Sequence, residues 1–348
     1  MNLEKTGEKP LRLLSQLNKS KYVWYLVSTI ILAVLIYTAD VNKFITAARS
    51  IEPFYLVSAY IAGASIFFVW GYVWYSFLSR LDIEKNAWKS FKMFLAGNFM
   101  NAITPLGQVG GEPFMAYIIS ENTDSSYEKS LTSVISADMI NTVPFITFGA
   151  IGVFYMLLFG ATHFLSEGAL LLILASLIVL AAGMYLVWFD RSAGRKTINK
   201  IMKVFESRFP SLKRYNEEIK EKLREIGNTF EKIGDNRRHL VKTAAIAHIG
   251  PLTQFLCLYL IVKGQGFEPH ITGIYLTVLL SVVAIFTPTP GGAGTYEAVF
   301  SGLLVLFYPE MALQTAVLSA IFFRITTYWT GIPVGYISLL SLRRGELS

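Results

Sequence analysis

The sequence predicts an all-α integral membrane protein: a polytopic helical bundle of about six full spans plus two re-entrant helical hairpins, arranged as an inverted repeat. Three observations carry this. The chain is 53% hydrophobic and 16% charged over 348 residues, against about a quarter charged in soluble domains. Its apolar residues are gathered into unbroken runs of spanning length. Two of the longer runs are interrupted by matching Pro-Gly breaks.

The runs free of charge are Tyr22–Ala39, Phe54–Ser79, Gly168–Phe189 and Ile271–Tyr296. A helix needs about 20 residues to cross about 30 Å of hydrocarbon. Ser130–Gly160, Thr243–Val262 and Met311–Leu342 add long stretches with at most one ionisable residue each. Barrel strands would alternate in segments of about ten residues, so these spans are helical. The polar start of the chain lacks a small-residue cleavage site, and Tyr22–Ala39 is expected to be an anchor rather than a removed signal. Cys257 is the only cysteine, which excludes an intramolecular disulfide.

Charge sets the expected topology. Lys and Arg gather before Lys21, between Arg80 and Lys92, and between Asp190 and Lys242, and are sparse elsewhere. The positive-inside rule places those segments and both termini in the cytoplasm of a cell-membrane protein. The +7 charge is then loop bias and not a nucleic-acid footprint. Residues 93–120 must enter and leave on the cytoplasmic side, turning at Thr104-Pro105-Leu106-Gly107-Gln108-Val109-Gly110-Gly111. Residues 271–308 start and end outside, with the break Thr287-Pro288-Thr289-Pro290-Gly291-Gly292-Ala293-Gly294; this second segment is a hairpin or two short spans.

The breaks share Thr-Pro, Gly-Gly and a following glutamate, Glu112 or Glu297. An ionisable residue follows in the next stretch, Asp138 or Arg324, and then a proline, Pro144 or Pro333. This predicts one transmembrane domain over 1–348 made of two copies, about 54–160 and 240–342, of opposite orientation. Inverted repeats with broken helices are the architecture of alternating-access transporters. Residues 190–242 form a cytoplasmic insertion with fifteen Lys/Arg against eight Asp/Glu. Ile198–Phe205 and Leu212–Phe230 show helical apolar spacing on either side of Pro210. Such helices lie on an anionic leaflet or pack on the bundle as a connector.

Ionisable groups at membrane depth mark functional sites by default. In a functional reading, Arg324 binds a phosphate. Helix arms beginning at Gly111 and Thr295 aim free N–H groups at the same anion, and Gly110, Gly111, Gly291 and Gly292 admit the ligand to the backbone. Glu112, Glu297 and Asp138 balance charge or carry protons. In a structural reading, the two glutamates cap their own helices and Asp138 pairs with Arg324. His248, beside Gly250-Pro251, is expected to pack a kink. Trp70, Tyr72, Trp74 and Tyr75 are expected to form an interfacial belt. No metal cluster, glycine-rich phosphate loop or other cofactor motif is present in the sequence.

Thr104-Pro105, Gly110-Gly111-Glu112 with Ala116-Tyr117, then Pro288-Thr289-Pro290-Gly291-Gly292-Ala293-Gly294 with Glu297 and Arg324, resemble the lysylphosphatidylglycerol synthase transmembrane (flippase-like) family over about residues 20–342. The family is named for members in which this region is fused to a soluble aminoacyl-transferase. Six residues follow Leu342 here, so the resemblance implies a stand-alone member that moves lipid rather than aminoacylating it. Where many relatives carry an arginine three residues after the first glutamate, this chain has Met115. The resemblance also implies anionic phospholipids or polyprenyl-phosphate-linked sugars as cargo, and a glycosyltransferase as partner. The expected function is transfer of such a lipid between leaflets without catalysis. The rivals are an integral-membrane enzyme on prenyl-linked lipids, which would need clustered carboxylates, and a scaffold acting through 190–242.

Overall fold

A computed structural model describes residues 51–103, 108–158, 167–189, 216–287 and 289–345, with a few positions between 42 and 49. Outside the described residues lie the expected first span, the first amphipathic helix of the insertion with Pro210, residues 104–107 of the first break and Pro288 of the second. The described residues are helical, with no strand among them.

The helices are α1 (Pro53–Arg80), α2 (Ala87–Ile103), α3 (Gln108–Glu121), α4 (Tyr127–Leu158), α5 (Glu167–Phe189), α6 (Asn216–Gly234), α7 (Arg237–Ala247), α8 (Ile249–Gly264), α9 (Ile271–Ser281), α10 (Thr295–Phe307), α11 (Leu313–Arg324) and α12 (Gly331–Gly345). Among the described residues, four stretches are long and apolar enough to cross a bilayer: Pro53–Arg80, Tyr127–Leu158, Leu170–Phe189 and Arg237–Gly264. Their starts are chemically marked. Asn86 Oδ1 accepts from the Trp88 and Lys89 amides at the head of α2. Ser126 Oγ accepts from Lys129 at α4, and Asn236 Oδ1 from His239 at α7. Each side chain satisfies amides that have no partner inside the helix.

The burial pattern suits a lipid solvent. On α4 the buried positions include Ser130, Thr132, Ser133, Ser136, Ala137 and Gly152, small residues that let helices approach closely. Its outward residues are large and apolar, with Leu158 76% exposed and Ile151 58%. On α5, Leu172 and Val179 are each 71% exposed.

The chain divides into two compact units. The first comprises Met1–Gly63, Asn98–Gly111 and Phe255–Pro333; the second comprises Ala64–Gly97, Glu112–Gln254 and Val334–Ser348. In the first, α10 packs between α9 and α11, with Phe300 and Phe323 in ring contact at 4.8 Å. In the second, α4 is flanked by α5, α6 and α7. The second helix of the insertion thus packs on the bundle, and Ser126 hydrogen-bonds Glu225 on it.

The two breaks differ in detail. A Cβ on Gly97 would meet Met115 Cγ at 2.8 Å, and one on Gly111 would meet the Asn101 side chain and, at 2.9 Å, its Cα. The pairs 97 with 115 and 101 with 111 run in opposite directions, so α2 and α3 lie antiparallel and close. Helix α3 is described from Gln108, so Gly110 and Gly111 lie within it rather than ahead of it, a correction to the expected start at Gly111. In the second segment, α9 has 11 residues and α10 has 13, about 16 and 20 Å of helix. Neither reaches across hydrocarbon as an α-helix alone.

Candidate functional site at the second break

The site is built from the turn between α9 and α10 and from the end of α11. After α9 the chain tightens into a 3₁₀ stretch, Val282–Phe286. It then turns through Gly291 (φ 57°), Gly292 (φ 71°) and Gly294 (φ 84°). Three left-handed positions in four residues explain the glycine content here, because side-chain-bearing residues pay about 1–2 kcal/mol each for that conformation. Helix α10 begins at Thr295, as expected from the sequence.

Glu297 is in the first turn of α10 and 1% exposed. Its Oε2 accepts from the Gly294 amide at 2.7 Å, satisfying one orphan donor, and the helix dipole favours the negative charge there. Its Oε1 accepts from Arg324 Nε at 3.3 Å. Arg324, 4% exposed, also donates from Nη2 to the Gly291 carbonyl at 2.6 Å. Its guanidinium lies 3.8 Å from the Tyr328 ring centroid and 4.6 Å from that of Tyr296. A buried cation is tolerated when paired and hydrogen-bonded, and two aromatic faces add to this.

The end of α11 is shaped to hold that cation. Ile325–Trp329 form a π-helical turn, a form common at functional sites. Pro333 downstream has no amide for the carbonyl of residue 329, which loosens the ladder here. Hydroxyls supply replacement bonds: Thr326 and Thr327 donate to the Phe323 carbonyl at 2.8 Å, and Thr330 to that of Ile325 at 2.7 Å. Thr326 also meets Cys257 Sγ at 3.4 Å, and a Cβ on Gly63 would collide with Thr326. Tyr328 reaches from this turn to donate to the Ala102 carbonyl, 3.3 Å away at the end of α2. One tyrosine therefore touches Arg324, Gly291 and the last turn before the first break.

The second unit holds the other two acids of the expected site. Glu112 and Asp138 are each half-buried and lie near enough to interact as like charges, with the Trp74 side chain beside Asp138. Neither acid has a cation among the described residues. The pairing of Asp138 with Arg324 offered by the structural reading is not what forms: Arg324 is paired with Glu297. Trp74 is 2% exposed and belongs to the interior, not to an interfacial belt. Met115, 5% exposed, fills the space over Gly97. His248 bridges α4 and the α7–α8 junction, with ring nitrogens 2.7 Å from Thr147 Oγ1 and 2.7 Å from the Ala244 carbonyl, as a kink-packing residue would.

Sequence reasoning missed Tyr296, Tyr328 and Trp74. The first two carried a signal: Tyr328 is four residues after Arg324, on the same helical face, and Tyr296 adjoins Glu297. Trp74 carried none.

The sequence model described as "Lysylphosphatidylglycerol synthase TM region" matches residues 24–335. The chain belongs to that family. Within it, the chain is similar to UPF0104 membrane proteins of three archaea. One from Pyrococcus horikoshii is 24% identical, covering 93% of this chain and 98% of the relative. One from Methanothermobacter thermautotrophicus is 22% identical, covering 90% and 93%. One from Methanocaldococcus jannaschii is 23% identical, covering 94% and 96%. The family and the apolar helices together make this a multi-pass membrane protein.

Proposed function

We propose that the protein moves an anionic lipid, either a phospholipid or a polyprenyl-phosphate-linked sugar, between the leaflets of the cell membrane. Arg324 and the glycine-rich start of α10 hold the phosphate. The single observation that supports this most is the state of the guanidinium. Among the described residues Nε and one N–H of Nη2 have acceptors, so three of the five N–H donors, two of them on Nη1, remain to be used. A phosphate reaching Nη1 competes with Glu297 for the cation. The phosphate then takes over as the counter-charge of Arg324, and Glu297, released from Nε, keeps its bond to Gly294 and the helix N-terminus.

In this reading the two hairpins enter the membrane from opposite faces, and both termini lie in the cytoplasm. Glu112 and Asp138 serve a second, cation-free station along the path, where they take up protons or the positive part of a headgroup. The test is a proteoliposome assay with fluorescent phosphatidylglycerol and a quencher that reaches the outer leaflet only. Faster exchange with wild type than with Arg324→Ala is expected. Equal rates for wild type, Arg324→Ala and protein-free vesicles would remove the proposal.

A further inference from the structure

Apart from the buried pair, the second unit contains a partly open cavity of about 440 Å³. Its walls are the first turn of α2 with Trp88, Lys89 and Lys92, the end of α3 with Glu121 and Asn122, and Ser341 near the end of α12. The size falls within the range of small-molecule sites, about 300–1,000 Å³.

The charges on these walls are unevenly matched. Lys89 is held by Glu84 at 3.0 Å. Lys92 has no carboxylate partner among the described residues; its ammonium stands 5.9 Å from the Trp88 ring centroid. Trp88 is 63% exposed, an amphipathic ring of the kind found at headgroup level. Asn86 spends its amide oxygen on capping α2, and Asn122 spends its amide on the Ile118 carbonyl. Lys92 is therefore the side chain left to meet a ligand's charge; Lys89 joins it by exchanging Glu84 for the ligand, and Glu121 stands on the opposite wall.

The geometry points to a phosphate site at the membrane surface, in which Lys92 and Lys89 hold the phosphodiester of an anionic glycerophospholipid. Trp88 flanks the glycerol region, and Glu121 accepts from headgroup hydroxyls. This site is separate from the Arg324 pair and does not depend on the translocation reading. It anchors a lipid against the ends of α2, α3 and α12.

The test uses the full chain purified in detergent, with native mass spectrometry of retained lipid. Phosphatidylglycerol and phosphatidylcholine of matched acyl chains are titrated separately, with glycerol phosphate as the soluble competitor. Wild type should prefer phosphatidylglycerol. Lys92→Gln should weaken that binding about fivefold, and the Lys89→Gln/Lys92→Gln double variant up to about thirtyfold, from the usual worth of a lysine at an anionic surface. Lys92→Arg should retain it. Competition by glycerol phosphate at comparable concentration would identify a soluble phosphate as the occupant and overturn the lipid assignment. Should the double variant fail to fold, a photo-crosslinking residue at Ser341 in an otherwise unchanged chain gives a second reading. Labelled phosphatidylglycerol should crosslink there, and labelled phosphatidylcholine should not. Equal binding of the two lipids, or equal binding by wild type and the folded double variant, overturns the proposal.

Discussion

Replacing Gly291 with alanine tests the site at its tightest point. The residue has φ 57°, where a side-chain-bearing residue costs about 1–2 kcal/mol. Its added Cβ would also overlap the Tyr328 hydroxyl and stand 3.0 Å from Cε2, so the ring must move. Moving it breaks the bond to the Ala102 carbonyl, about 1 kcal/mol, and separates it from a buried guanidinium, about 1–2 kcal/mol. The sum is about 3–5 kcal/mol. Removing the ring first should recover most of this. In Tyr328→Ala, adding Gly291→Ala should cost only the conformational 1–2 kcal/mol, leaving a coupling of about 2–3 kcal/mol in a double-mutant cycle. Reversible unfolding in mixed detergent measures all four corners. If Gly291→Ala is as stable as wild type, or if the two substitutions add without coupling, the interlocked arrangement argued here is wrong.

The same unfolding assay checks three further expectations. Arg324→Met should destabilise by about 3–5 kcal/mol because it strands Glu297, while Arg324→Met with Glu297→Gln should cost clearly less, since the pair is removed together. Gly111→Ala should destabilise through collision with Asn101 by about 1–3 kcal/mol. Gly183→Ala, where a Cβ meets nothing within 4 Å, should be neutral or stabilising by up to about 1 kcal/mol.

The fold class was legible because apolar run length reports directly on membrane spans: Phe54–Ser79 and Gly168–Phe189 fall within one residue of α1 and within α5. The second break was legible from Pro and Gly for the same local reason, and its left-handed glycines appear where the motif puts them. What sequence could not supply was partnership. Arg324 and Asp138 are each the single charge of their stretch, so pairing them was natural; the actual choice of Glu297 depends on how a short helix turns back onto α11. Likewise Trp74 reads as one more aromatic near a helix end until α4 brings Asp138 against it. The expected start of α3 at Gly111 was too late, because glycine is accommodated in a helix as well as in a loop.

Cys257, 0% exposed and bonded to Thr326, has a practical consequence. It is the chain's sole thiol, and its position inside the bundle should keep it silent toward polar maleimides. A single cysteine placed at Ser120, Gly266 or Glu310 can then be labelled from one side of a sealed vesicle without first engineering the natural one away. Sidedness at each loop becomes a direct yes-or-no measurement on a nearly native chain.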